Sequence, residues 1–134
     1  MHLDTYQKFH FIGIGGMGMR ALANILIHMG VNVSGSDVVD STILHKFREQ
    51  GATIYLGHKA ENIENADVVV ISSAISPENP ELQEAKNRNI PIFHRSDVLA
   101  AMFMWGKGIA VAGAHGKSTT SAMVGQIFKY ANVD

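Results

Sequence analysis

No cysteine occurs in these 134 residues. A disulfide framework and thiolate metal sites are therefore excluded, and a reducing cytosol suits the chain. Neither sign of charge dominates: 11 Lys and Arg stand against 12 Asp and Glu, for a net charge of -1. With no Lys/Arg cluster and no acidic tail, nothing suggests a nucleic acid as partner. Long apolar runs are missing too. The longest, as in "ADVVVI", are a few residues, far short of a membrane span. The start, "MHLDTYQKFHFIGIGG", lacks a basic stretch followed by a long apolar one, so it does not read as a signal peptide. The expected location is the cytoplasm, with no membrane partner. Repeats and low-complexity segments are absent, and none of the seven histidines forms an H-x-x-x-H or similar ligand spacing.

What is present is an alternation of strand and helix patterns. "KFHFIGI" (8–14) reads as a buried strand ending in glycines. Residues 17–30 carry apolar side chains at helical spacing (Met19, Leu22, Ala23, Leu26, Ile27) and stop at Gly30. A strand is predicted at 31–37, then a helix at 41–51 with Ser41 as a possible N-cap and Gly51 as its end. Further strands are predicted at 52–57, 66–74 and 90–94. Helices are predicted at 79–89, with Pro80 in the first turn, and at 96–105. "ADVVVISSA" (66–74) is almost wholly apolar, as befits a strand covered on both faces. A sixth strand at 108–113 leads into a last helix at roughly 117–131. This order predicts an α/β fold of Rossmann type, a parallel sheet with helices on both faces.

Two glycine loops carry the chemistry. "GIGGMG" places Gly13, Gly15 and Gly18 in a G-x-G-x-x-G pattern between a strand and a helix. Gly13 is expected to permit a tight turn, Gly15 to let main chain approach a diphosphate, and Gly18 to let the helix pack closely. The helix start adds free N–H groups and partial positive charge. Asp37 lies 19 residues after Gly18, where an acid of this fold bonds a ribose hydroxyl; an exposed loop acid without a role is the plainer alternative. The loop reads as a site for a nucleotide diphosphate. It does not distinguish NAD from a UDP-sugar.

The second loop, "AGAHGKSTT", follows the predicted strand at 108–113. Main-chain N–H groups would surround phosphates, Lys117 would neutralise the outer ones, and the Ser118 hydroxyl would reach Mg²⁺. Val111 stands where the common G-x-x-x-x-G-K-[ST] pattern has its first glycine, so the loop is a short form. His115 is either a phosphate or substrate contact or a spacer. No strand with an acid for Mg²⁺ follows, so the chain is expected to carry this loop without the rest of its domain.

The spellings "HFIGIGGMGM" (10–19), "VSGSD" (33–37), "ADVVVISSAI" (66–75), "NPEL" (79–82), "IP" (90–91) followed by Arg95, and "GIAVAGAHGKSTTSAM" run in order along nearly the whole chain. With them the chain resembles the Mur ligases of peptidoglycan synthesis. The resemblance implies three domains: a first for a UDP-sugar, a second for ATP and a third for the incoming amino acid. Residues 1–107 would be the UDP-sugar-binding domain and 108–134 the start of the ATP domain. The implied reaction is phosphorylation of the lactyl carboxylate of UDP-N-acetylmuramate by ATP, followed by displacement of phosphate by the amine of L-alanine. The 134-residue chain alone is expected to be inactive. By position, Gly13, Gly15, Gly16, Met17 and Gly18 would wrap the UDP diphosphate. Ser36 and Asp37 would meet the uridine, and Ser73 and Ala74 the sugar-diphosphate. Gly113, Ala114, His115, Gly116, Lys117, Ser118 and Thr119 would hold ATP, with Lys117 and Ser118 catalytic and Ser118 on the metal. Ala114 and Ser118 depart from the threonines usual in the family; Ser118 keeps the hydroxyl, while Ala114 loses one possible hydrogen bond. Two rivals are a ligase that recycles a whole peptide onto the same sugar and a non-catalytic NAD-binding regulatory module.

Overall fold

A computed structural model describes residues 6–103. Within the compact unit Asp4–Arg95, five strands form one sheet in the order β3-β2-β1-β4-β5. They are β1 (Lys8–Ile12), β2 (Asn32–Asp37), β3 (Thr53–Leu56), β4 (Val68–Ile71) and β5 (Ile92–His94), and every pairing is parallel. The helices are α1 (Met17–His28), α2 (Thr42–Glu49) and α3 (Pro80–Asn87), joined by a 3₁₀ turn at Ala60–Ile63. The first crossover starts from the central strand, and the chain then returns to the other side of it. That reversal leaves a crevice at the C-terminal ends of β1 and β4.

Local signals explain where elements stop. Gly30 has φ +83, and it ends α1 with the paired bonds Gly30 N→Ile27 O and Val31 N→Leu26 O, the Schellman arrangement. Asn79 caps α3: its side chain accepts from the N–H groups of Glu81 and Leu82, and Pro80 takes the first helical position. Ser41 sits at the N-cap of α2, but its side chain makes no cap bond, contrary to expectation. The 3₁₀ turn was not foreseen.

Phe9, Phe11, Ile12, Val33, Val68, Val69 and Val70 are all buried, as expected of strands covered on both faces. One cluster joins Ile12 and Val69 of the sheet to Ile63, Leu82 and Ala85. Residues 95–103 are helical, with Val98 and Met102 buried; from Ser96 onward they belong to a second unit. The predicted strand at 108–113, the helix at 117–131 and the boundary between 107 and 108 lie outside the described residues.

Candidate functional site

The loop between β1 and α1 is built on the end of β2. Gly13 and Ile14 both donate their N–H groups to the carbonyl of Ser36, at 2.8 and 3.0 Å. Gly13 has φ +78, a conformation that side chains rarely adopt, and Gly16 N closes a turn onto Gly13 O at 3.0 Å. Helix α1 then starts with Gly16 at its N-cap, which offers no capping side chain, and no acid lies in the first turn. The first N–H groups of the helix are left for an external acceptor, with the positive end of the helix dipole behind them. Met17, at the helix start, is 84% exposed.

The Gly15 peptide is held from both sides. Its N–H donates to Asp37 Oδ2 at 2.8 Å, and its carbonyl accepts from Arg20 Nε and Nη2 at 3.1 and 2.8 Å. Asp37 Oδ1 accepts from Val38 N at 2.8 Å. Two glycines of the loop face side chains at close range. A Cβ on Gly15 would stand 2.7 Å from Asp37 Oδ2, so this glycine admits the carboxylate to the loop. A Cβ on Gly18 would stand 2.9 Å from the Arg95 guanidinium, so this glycine leaves room for a cation. Arg95 is thereby placed at the first turn of α1. It was noted in the sequence only as a family spelling.

Ser36 was expected, with Asp37, to meet a uridine. Its side chain is fully buried, and its hydroxyl donates to Glu81 Oε1 at 2.7 Å. That uses its only hydrogen, so the 2.8 Å contact with His58 Nδ1 has the imidazole as donor. Asp37 does face the loop, and each of its oxygens keeps lone-pair capacity beyond the bond it already accepts. Ser73 and Ala74 are exposed in the turn after β4. Ser73 Oγ bonds His94 Nε2 at 3.0 Å, and the neighbouring Ile75 Cδ1 lies 3.2 Å from where a Gly13 Cβ would be. The structure thus brings Gly13, Gly15, Gly16, Met17, Gly18, Asp37, Ser73 and Ala74 to one edge of the sheet and turns the Ser36 side chain inward. Gly113, Ala114, His115, Gly116, Lys117, Ser118 and Thr119 lie outside the described residues.

Beneath the loop is a buried polar network that the sequence reading missed. Glu81, on α3, is fully buried. Its Oε1 accepts from His10 Nε2 at 2.6 Å and from Ser36 Oγ, and its Oε2 accepts from Asn62 Nδ2 at 2.8 Å and Lys59 N at 3.1 Å. Burial alone would push this carboxyl up. The hydrogen bond from His10, with those from Ser36 and Asn62, outweighs it and holds the group below its ordinary value. One signal was available: Glu81 shares a helix stripe with Ala85, at i and i+4, and both are buried. Among the described residues no cluster of three or more His, Asp or Glu side chains is arranged for a metal. No helix among them is long and apolar enough to cross a membrane.

The sheet order and the glycine loop at its central crossover define a Rossmann-like α/β domain with an open helix start at the C-terminal edge of the sheet. The model of the Mur ligase family, catalytic domain, matches residues 8–105, and the chain belongs to that family. It is 51% identical over 131 residues to the UDP-N-acetylmuramate–L-alanine ligase of Aquifex aeolicus, covering 98% of this chain and 29% of that protein. It is 48% identical over 134 residues to the Hydrogenobaculum ligase of the same name, covering all of this chain and 30% of that one. The chain therefore spans about 30% of the length of the curated relatives it matches. Among solved structures, the UDP-N-acetylmuramate–alanine ligase of Thermotoga maritima aligns with a TM-score of 0.71 and 32% identity, covering 75% of this chain and 23% of that one. The UDP-N-acetylmuramate:L-alanyl-γ-D-glutamyl-meso-diaminopimelate ligase of Neisseria meningitides aligns at 0.63 and 26%, covering 94% and 40%.

Proposed function

We propose that this chain is the UDP-N-acetylmuramate-binding part of an ATP-dependent ligase that joins L-alanine to that sugar. The observation that carries the reading is the uncapped start of α1, aimed at the C-terminal edge of the sheet. With Arg20 and Arg95 beside it, that edge suits an anion of high charge such as a diphosphate. Met17 and Gly18 would donate main-chain N–H groups to the diphosphate oxygens, with the Gly13–Gly16 turn leading up to them; Asp37 would take a hydroxyl or N–H of the uridine, and Ser73 and Ala74 would flank the sugar. The 51% identity to an L-alanine-adding ligase favours that substrate over a peptide to be recycled.

Activation of the sugar's carboxylate would fall to ATP and Mg²⁺ at Gly113, Ala114, His115, Gly116, Lys117, Ser118 and Thr119, with Lys117 against the outer phosphates and Ser118 on the metal. The 134-residue chain would bind the sugar nucleotide without turning over ATP. Titration calorimetry of UDP-N-acetylmuramate against NADH tests the reading. Heat from the sugar nucleotide and none from NADH is expected. The reverse would make the chain a nicotinamide-binding module.

A further inference from the structure

The buried network under the loop does more than fill the core. An apolar group in the place of Glu81 would cost less desolvation, and buried charge networks are often no more stable than well-packed apolar substitutes. What the carboxylate does here is join three parts of the fold at one point: β1 through His10, β2 through Ser36, and the segment after β3 through Lys59 and Asn62. Ser36 is the residue whose carbonyl carries the N–H groups of Gly13 and Ile14, and the next residue, Asp37, holds Gly15 N. Three of the first loop residues are therefore pinned to a two-residue stretch of β2, and that stretch is pinned from below by Glu81.

We propose that Glu81 is a positioning residue that sets the height and tilt of the glycine loop through Ser36; for ligand binding, this rests on the function proposed above. The donor and acceptor inventory makes the proposal specific. Glu81 accepts four bonds and donates none. A glutamine in its place has one accepting oxygen. On the Oε2 side, Lys59 N can only donate, and Asn62 Nδ2 is also committed to Gly57 O at 3.1 Å. The glutamine oxygen must face them, and its NH₂ must face His10 and Ser36. Both of those can reverse. His10 can move its proton to Nδ1, which then donates to Ser34 Oγ, 2.8 Å away. Ser36 Oγ can accept from the amide and donate to His58 Nδ1. Glu81→Gln thus keeps the scaffold with the bonds on the loop side reversed, whereas Glu81→Leu removes the anchor.

The test uses the 134-residue chain with uniform ¹⁵N labelling and UDP as ligand. In Glu81→Gln the imidazole nitrogen shifts of His10 and His58 should report exchanged tautomers. The amides of Gly13, Ile14 and Gly15 should move while those of α2 stay in place. UDP affinity should stay within about threefold of wild type for Glu81→Gln and fall about tenfold or more for folded Glu81→Leu, as expected when a binding group is misplaced. If Glu81→Leu does not fold, Glu81→Gln decides alone. Unmoved loop amides with exchanged tautomers, or a folded Glu81→Leu that binds UDP like wild type, overturns the proposal. Loop amides that move in a chain whose wild type does not bind UDP support the positioning role and count against the nucleotide reading.

Discussion

Replacing Gly35 by alanine should loosen the whole glycine loop, although Gly35 touches no expected ligand. Gly35 is the fourth residue of β2, paired with Phe11 on one side and Ile54 on the other. A Cβ there would lie 2.6 Å from Ile14 Cδ1, 2.7 Å from Ile14 Cβ and 2.9 Å from Ile14 Cγ2, where ordinary contact begins at 3.4 Å. Rotating Ile14 can relieve the first and third contacts but not the second, because Cβ is fixed to the main chain. The main chain at Ile14 must then withdraw by roughly 0.7 Å. It is tied to Ser36 O by the N–H groups of Gly13 and Ile14. Overpacking of this kind costs about 1–3 kcal/mol, and weakening one of those bonds adds about 1 kcal/mol. The expected loss is about 3 kcal/mol, a large part of the stability of an ordinary domain. In urea the midpoint should fall by about 1–2 M with an unchanged slope. Ile14→Ala in the same chain should rescue only part of the loss, since it keeps the Cβ. A midpoint within about 0.3 M of wild type would refute the reasoning, because it would mean that the loop can yield without cost.

Gly15→Val should displace the Asp37 carboxylate, break its bond to Gly15 N and abolish UDP-N-acetylmuramate binding; equal calorimetric titrations for variant and wild type would remove the loop as the site. The Glu81 carboxyl is held below its ordinary value of 4.5, so the folded chain keeps it ionised where the unfolded chain begins to take up a proton. Its contribution is therefore present in full above that value and is lost as pH falls through the lower folded one. Urea midpoints should fall more steeply below pH 4.5 for wild type than for Glu81→Gln, and parallel curves would contradict this. In a chain extended to the length of its relatives, Lys117→Ala should remove ligation and leave UDP-sugar binding nearly intact, because the sequence pattern predicts a separate helix after the second loop; calorimetry beside an L-alanine incorporation assay would detect a joint loss.

Much of the fold was written locally. Gly30 and Gly51, with the apolar spacing from Met19 to Ile27, mark the helices, and the run at 66–74 marks an inner strand because each signal acts within a few residues. The strand–helix alternation then leaves a parallel sheet as the natural solution, and the Gly13 turn ahead of a helix without a capping side chain is legible as well. The tertiary structure alone decided which way side chains of mixed character turn. Ser36 reads as a site residue beside Asp37, yet strand alternation sends the two to opposite faces and buries Ser36. Glu81 reads as part of a polar helix surface, yet it is buried because its partners come from far along the chain: His10 is 71 residues away and Ser36 is 45. A Cβ at Gly15, Gly18 or Gly35 would meet Asp37, Arg95 or Ile14, each brought close by the fold. Local periodicity carries no record of such contacts, since a carboxylate can be buried only where several donors from separate elements converge to replace its water.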